Sequence, residues 1–193
     1  SGVGANDKGL TQTGRVELNM TGKAGSNMFV AGKAALEAGK GGSVNTADMW
    51  VQMGNQSFDV KLGRFECVDM FPLPGDTLVD DAGPVAKTNK LRGRIGDNVF
   101  HAAATAKLGN GLAVELGLVS SGNYLKPLGL RPAVTYANGP LSAGLALEKG
   151  KFDGVSNSGF DGFGGFAQYD FGGFKVTANM ANSNTDGATV DGG

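Results

Sequence analysis

Residues 99–118 read VFHAAATAKLGNGLAVELGL and decide the fold class of the chain. Apolar side chains recur at every second position from Phe100, and the row that begins at His101 carries the polar ones. After Gly-Asn-Gly at 109–111 the alternation resumes, with Glu115 on the polar side. A period of two is typical of a β-strand with one apolar face, and a short glycine-rich break between two such runs is typical of a tight turn. The stretch therefore predicts a β-hairpin.

The same alternation recurs along the whole chain, and the runs define ten predicted strands. They lie at about 14–21, 28–37, 47–53, 58–63, 99–108, 112–118, 128–136, 141–148, 163–171 and 174–180. Short turns at 21–27, 54–56, 109–111, 138–140 and 172–173 alternate with longer polar connections at 39–46, 66–93, 120–126, 149–160 and from 182 onward. An up-and-down meander with tight turns at one rim and long loops at the other is typical of a transmembrane β-barrel. The predicted fold is therefore all-β, an antiparallel barrel in a single domain, 1–193.

Composition excludes several classes of function. With 17 basic and 18 acidic residues among 193, the chain lacks the positive charge that a nucleic-acid partner requires. The single cysteine excludes an internal disulfide, and the single histidine argues against a zinc enzyme or a Ser-His-Asp hydrolase. No general acid–base pair stands out, so we expect no catalysis, no metal and no cofactor.

A soluble or cell-surface β-protein used for adhesion would show the same alternation, with its apolar face turned inward. Three features favour the membrane: the low charge of 18%, the single rim of tight turns, and aromatic residues beside that rim. These aromatic residues are Tyr136, Tyr169, Phe171 and Phe174. The order of the connections further predicts that a strand precedes residue 1 and another follows residue 193, in a barrel of more than ten strands.

The longest connection carries a resemblance to a known family. Gly63-Arg64 ends a strand and is followed by Asp69-Met70-Phe71-Pro72 and Gly75-Asp76-Thr77. This order resembles the trimeric general porins of Gram-negative outer membranes, and the Gly-Arg-Phe-Glu run with Phe-Pro-Leu is also similar to carbohydrate porins. The resemblance implies a sixteen-stranded homotrimer in contact with outer-membrane lipid and lipopolysaccharide. It also implies passive diffusion of small hydrophilic solutes and ions past the loop 66–93, folded into the pore as a constriction.

In such a pore, acids on the loop would face bases on the wall and create a transverse field that selects solutes by charge and size. The candidate loop acids are Glu66, Asp69, Asp76, Asp80 and Asp81. The candidate wall bases are Arg15, Lys33, Lys61 and Arg131, to which the resemblance adds Arg64. Strict alternation places Arg64 on the lipid side, so it requires a bulge or a strand end at Gly63 to reach the pore. Trp50 shares its face with Asp48 and Gln52; it is expected to pack beneath the folded loop, and stacking on a sugar in the channel is the alternative.

Overall fold

The computed structural model of the protein describes residues 15–39, 42–68, 70, 99–121, 127–151, 159–185 and 188–192. These residues form one antiparallel sheet in which every strand pairs with its neighbours in sequence. The strands are β1 (Arg15–Ala24), β2 (Phe29–Gly39), β3 (Val44–Gly54), β4 (Phe58–Arg64), β5 (Val99–Gly109), β6 (Leu112–Ser121), β7 (Pro127–Asn138), β8 (Leu141–Lys151), β9 (Gly159–Asp170), β10 (Lys175–Thr185) and β11 (Ala188–Gly192). The all-β, up-and-down fold predicted from the sequence is confirmed.

One face of the sheet is covered with exposed apolar side chains, and we call it the outer face. Leu145 and Leu147 on β8 are 59% and 60% exposed, and every strand from β1 to β10 contributes similar residues. The cross-strand register keeps these side chains together: Leu145 pairs with Val134 on one side and with Gly165 on the other. An apolar band on the outside of a sheet is what contact with lipid requires. The polar rows of the sequence therefore form the opposite, inner face.

The strands differ from the prediction mainly at the end of the sheet where long loops were expected. The predicted loop 39–46 is shorter than expected, because β2 extends to Gly39, whose N–H donates to the Ser43 carbonyl at 2.9 Å, and β3 already begins at Val44. The predicted loop 149–160 shortens to 152–158. The predicted loop from 182 onward is largely strand, since β10 continues to Thr185 and β11 follows. The span 65–98 is thus the one long connection between described strands.

The opposite rim consists of tight turns, as predicted. At 109–111 the three residues have φ values of +89°, +51° and +82°, a left-handed conformation that Gly-Asn-Gly adopts with little strain. At the turn before β4, the Asn55 carboxamide oxygen accepts the backbone N–H groups of Ser57 and Phe58 at 2.8 and 2.9 Å. No helix in the described part of the chain has the length and apolar character needed to cross a membrane.

Candidate pore-lining site

The inner face of β6 to β9 carries small residues where side chains of the loop pack. Gly117 lies on β6, Ala133 on β7, and Gly144 and Ala146 on β8, all on the inner face. Ala133 and Ala146 are buried, with 7% and 3% of their surface exposed. Because these residues have little or no side chain, another segment of chain can lie directly against the backbone of the wall.

The segment that lies there is the start of the long connection, residues 65–68 and 70. Phe65 and Cys67 pack with Ala103 of β5, and Met70 packs with Ala133 and Ala146. A methyl group added at Gly117 would stand 2.8 Å from Cys67 Sγ, and one added at Gly144 would stand 3.1 Å from Met70 Sδ. The chain therefore leaves β4 and crosses the inner face toward β8, in contact with the wall. We call residues 65–68 and 70 the inward segment.

Arg131 of β7 holds the inward segment by its backbone. Its Nη2 donates to the Val68 carbonyl at 2.7 Å, and its Nη1 lies 3.7 Å from Glu115 Oε1. Glu115 Oε1 in turn accepts the Val68 N–H at 3.1 Å. Arg131 and Glu115 thus hydrogen-bond the carbonyl and the N–H of Val68, and we call this pair the clamp. The Arg131 side chain is fully buried beneath the segment.

A second carboxylate adjoins this clamp. The register that pairs Leu130 with Lys149 and Ala133 with Ala146 places Glu148 of β8 opposite Arg131. Glu148 is 4% exposed. A guanidinium presents five donors and its charge has to be compensated when it leaves water, and Glu115 and the facing Glu148 supply the negative charge around Arg131.

His101 of β5 fixes the beginning of the inward segment. Its Nδ1 is hydrogen-bonded to the Phe65 carbonyl, and because a carbonyl only accepts, Nδ1 carries the proton. The Phe65 ring meets the imidazole edge-on, with centroids 5.4 Å apart and planes at 77°. His101 is 1% exposed, so its hydrogen bond to the Phe65 carbonyl lies in the interior of the protein.

The inner face of β2 to β4 is polar and carries paired charges. Lys33 Nζ lies 3.0 Å from Asp48 Oδ2, and Gln52 Nε2 donates to Asp59 Oδ1 at 2.7 Å. Lys61 Nζ lies 4.2 Å from the centroid of the Trp50 ring and 4.5 Å from that of Phe65, within cation–π distance of both.

The structure places the candidate wall bases in different surroundings. Lys33, Lys61 and Arg131 lie on the inner face, and Arg131 is covered by the inward segment. Arg64 ends β4 opposite Met49, after Gly63 with a φ of +126°, and its Nε is buried. Arg15 begins β1, and its side chain lies outside the described residues.

Of the candidate loop acids, Glu66 lies in the inward segment and is half-buried. The other four lie outside the described residues: Asp69, Asp76, Asp80 and Asp81. Trp50 packs against the cluster of Phe65 and Cys67, which confirms the expectation that it lies beneath the loop.

The sequence did not predict that Arg131 and Glu115 hold the inward segment against the wall. Alternation placed Arg131 and Glu115 on the inner face, but periodicity does not tell which inner residues are covered by another segment. The available signal was the run of small inner-face residues on β6 and β8, since glycine in a strand often marks the close approach of another chain segment. Among the described residues, no group of three His, Cys, Asp or Glu side chains is placed to hold a metal ion.

Comparison with solved structures returns bacterial porins. A substituted variant of the Rhodopseudomonas blastica porin is 14% identical, with a TM-score of 0.46 over 95% of this chain and 82% of that one. A triple mutant of the same porin is 13% identical, with a TM-score of 0.46 over 95% and 80% of the two chains. No curated protein sequence matches the chain significantly.

The family comparison covers more than half of the chain. The sequence profile described as porin-like glycoporin RafY matches residues 3–116, a range that contains β1 to β5 and the inward segment. Together with an apolar outer face, a polar inner face and a segment folded against the inner wall, this match shows that the chain is a Gram-negative outer-membrane porin and belongs to the porin-like glycoporin family.

Proposed function

We propose that the channel is a passive diffusion pore whose bore is narrowed by the loop 66–93, and that transport through it involves no catalysis. The observation that carries the proposal is the clamp of Arg131 and Glu115 on Val68. It anchors the start of the loop on the inner wall. The porin family supports a homotrimer of complete barrels as the working form.

Single-channel recording of the full-length, detergent-purified protein in a planar bilayer tests this proposal. We expect stable ohmic conductance that closes in groups of three, as three parallel pores would. A folded barrel that conducts no ions would contradict the diffusion pore. Conductance in single, independent steps would contradict the trimer alone.

A second candidate is a pore selective for carbohydrates, and the family description as a glycoporin favours it. One inner-face pair also favours it, because Lys33 with Asp48 leaves little net charge on its part of the wall. A wall with balanced charge favours neutral solutes over ions of either sign.

Sugars added to one side of the bilayer separate the two candidates. A general pore lets mono-, di- and trisaccharides enter liposomes at rates that fall steadily with size, and the sugars do not block its ion current. A carbohydrate-selective pore shows saturable block of the ion current by a sugar. An equal, unsaturable effect of all sugars would reject the second candidate.

A further inference from the structure

The inner face of β8 to β10 differs chemically from the inner face of β2 to β4, where Lys33 and Asp48 place charges in the middle of the strands. Among the described side chains of β8 to β10, the inward rows carry charge only towards their ends, at Glu148 and at the Asp170–Lys175 pair. Between those ends the wall consists of amides, hydroxyls, small residues and one aromatic ring. A solute on this side of the bore therefore meets hydrogen-bonding groups that carry no charge.

The aromatic ring in this stretch of wall belongs to Phe166 of β9. Phe166 pairs with Gly144 of β8 and its ring leans over that glycine, because a Cβ built at Gly144 would stand 2.6 Å from Phe166 Cε1. The ring packs against the cluster of Met70, Ala133 and Ala146, where the inward segment meets the wall, and it remains partly exposed. Phe166 thus presents part of its ring to the bore beside the inward segment.

Three polar side chains lie beside the ring of Phe166. Asn179 of β10 is its partner in the register, and Asn179 Oδ1 has no hydrogen-bond partner in the part of the chain that the structure describes. Gln168 and Thr177 form the next inward pair toward the tight turn, and Gln168 Nε2 donates to Thr177 Oγ1 at 2.8 Å. That bond leaves the Gln168 carboxamide oxygen to accept and the Thr177 hydroxyl proton to donate. We call Phe166, Gln168, Thr177 and Asn179 the β9–β10 patch.

The β9–β10 patch has the dimensions and the chemistry of one sugar ring. Paired side chains on neighbouring strands lie about 5 Å apart, and residues i and i+2 on one strand lie about 7 Å apart, which together match a pyranose with its hydroxyl groups. The C–H face of a pyranose is attracted to the negative face of an aromatic ring. Its neighbouring hydroxyls both donate and accept, as a carboxamide and a threonine hydroxyl do. A charged group would find no counter-ion in the patch.

We propose that the β9–β10 patch binds one neutral pyranose unit of a sugar that passes through the bore, with the sugar ring stacked on Phe166 and its hydroxyls on the three polar side chains. The inference rests on the second candidate under the proposed function, a carbohydrate-selective pore. It assigns the selectivity of that pore to the uncharged wall of β8 to β10, and it names neutral sugars, as opposed to uronic acids or amino sugars, as the class that the patch holds.

Block of the single-channel current by maltotriose, recorded with the full-length, detergent-purified protein in a planar bilayer, tests the site. Phe166→Leu keeps apolar bulk against Met70 but removes the aromatic face, so the sugar concentration that gives half-maximal block should rise about fivefold. Phe166→Tyr retains an aromatic face and should be blocked as the wild type is. Thr177→Val removes one hydroxyl at nearly constant volume and should raise the half-blocking concentration about threefold.

Three controls separate binding from the width of the pore. Phe163→Leu makes the same change on the outer face of β9 and should leave the block unchanged. A polyethylene glycol of the size of maltotriose should lower the current equally in the wild type and in every variant, because it has no sugar ring to stack on Phe166. Saturation-transfer NMR of maltotriose with the protein in detergent measures binding without relying on conductance.

Equal half-blocking concentrations for the wild type and Phe166→Leu would overturn the proposal, because Phe166 would then act through its bulk alone. A wild-type protein with neither saturable block nor NMR binding would overturn the site and the second candidate together, while steady conductance would still support the diffusion pore. A protein that conducts no ions, binds maltotriose in the NMR measurement and loses that binding in Phe166→Leu would support the β9–β10 patch and contradict the proposed function.

Discussion

Arg131 shows how a charge on the inner face of a barrel becomes structural. Its guanidinium is fully buried and contacts the carbonyl of Val68 and the carboxylate of Glu115. Removing one partner of a buried ion pair is costly because the remaining charge stays out of water. The residue therefore holds the inward segment in place more than it presents charge to solutes.

Arg131→Met should release that segment. We expect the free energy of unfolding to fall by about 3 kcal/mol, because the Glu115 carboxylate is left without its cation. The variant should also conduct more ions and show noisier open-channel current, since the inward segment loses its clamp. Chemical denaturation and bilayer recording measure the two effects.

Glu115→Gln is the matched variant, because its carboxamide oxygen still accepts the Val68 N–H. Its effect on conductance should be the smaller of the two. An Arg131→Met channel with wild-type conductance and noise would show that the clamp does not control the bore.

Gly117 provides the space in which Cys67 lies. A Cβ at this position would stand 2.8 Å from Cys67 Sγ, so Gly117→Ala should destabilise the protein by about 1–3 kcal/mol. Cys67→Ala in the same chain should restore most of the loss, whereas Gly22→Ala, whose Cβ meets no atom within 4 Å, should have little effect. Additive losses in the double variant would contradict this contact.

Cys67 also predicts a pH dependence. Burial, with a smaller contribution from Glu115, raises the pKa of its thiol from 9.0 to about 12. Below pH 9 the folded and unfolded states both keep the proton, so the thiol has no effect on stability there. Between pH 9 and 12 the unfolded state loses the proton first, and the free energy of unfolding falls by up to ~1.4 kcal/mol per pH unit.

The Cys67→Ala variant isolates this contribution, because all other titrating groups are common to both proteins. The stability difference between wild type and variant should be constant below pH 9 and shift against the wild type above it. In the folded wild type, iodoacetamide should react slowly with Cys67 at pH 9. A difference that stays constant to pH 11 would show that the thiol is not held in its neutral form.

At the scale of the strand, the period of two predicted which face each residue occupies. The assignments of Lys33, Lys61, Glu115 and Arg131 to the inner face agree with the register. What periodicity could not supply was the end of each strand. From Asn182 onward, β10 and β11 contain an Asn-Ser-Asn-Thr run and few apolar residues, so this end of the sheet has no alternating signal.

The two faces predict unequal losses of stability when a lysine is introduced. Leu145→Lys places a charge on the apolar outer face and should cost roughly 2–4 kcal/mol in a lipid bilayer. Ser142→Lys, on the inner face of the same strand, should cost much less because its ammonium group is hydrated. Urea unfolding of the two variants in lipid vesicles measures the difference, and equal losses would contradict the assignment of faces.

At the scale of the molecule, the balance of charge along the bore decides which solutes pass. The Lys33–Asp48 pair is half-exposed on the inner face, and each charge offsets the other. Lys33→Met should therefore shift the reversal potential in a salt gradient toward cation preference, and Asp48→Asn should shift it the opposite way. The variant with both substitutions should return close to the wild type. Shifts of the same sign in both single variants would show that the pair does not face the bore.

The two glycines beneath the inward segment matter for how such channels diversify. Gly117 and Gly144 contribute no side-chain volume where Cys67 and Met70 lie against the wall. A methyl group added at Gly117 would press on Cys67 of the inward segment, and one added at Gly144 would press on Met70 and on Phe166 of β9. Under the proposed function, single substitutions at these two glycines offer small steps in pore calibre that leave the lipid-facing surface unchanged.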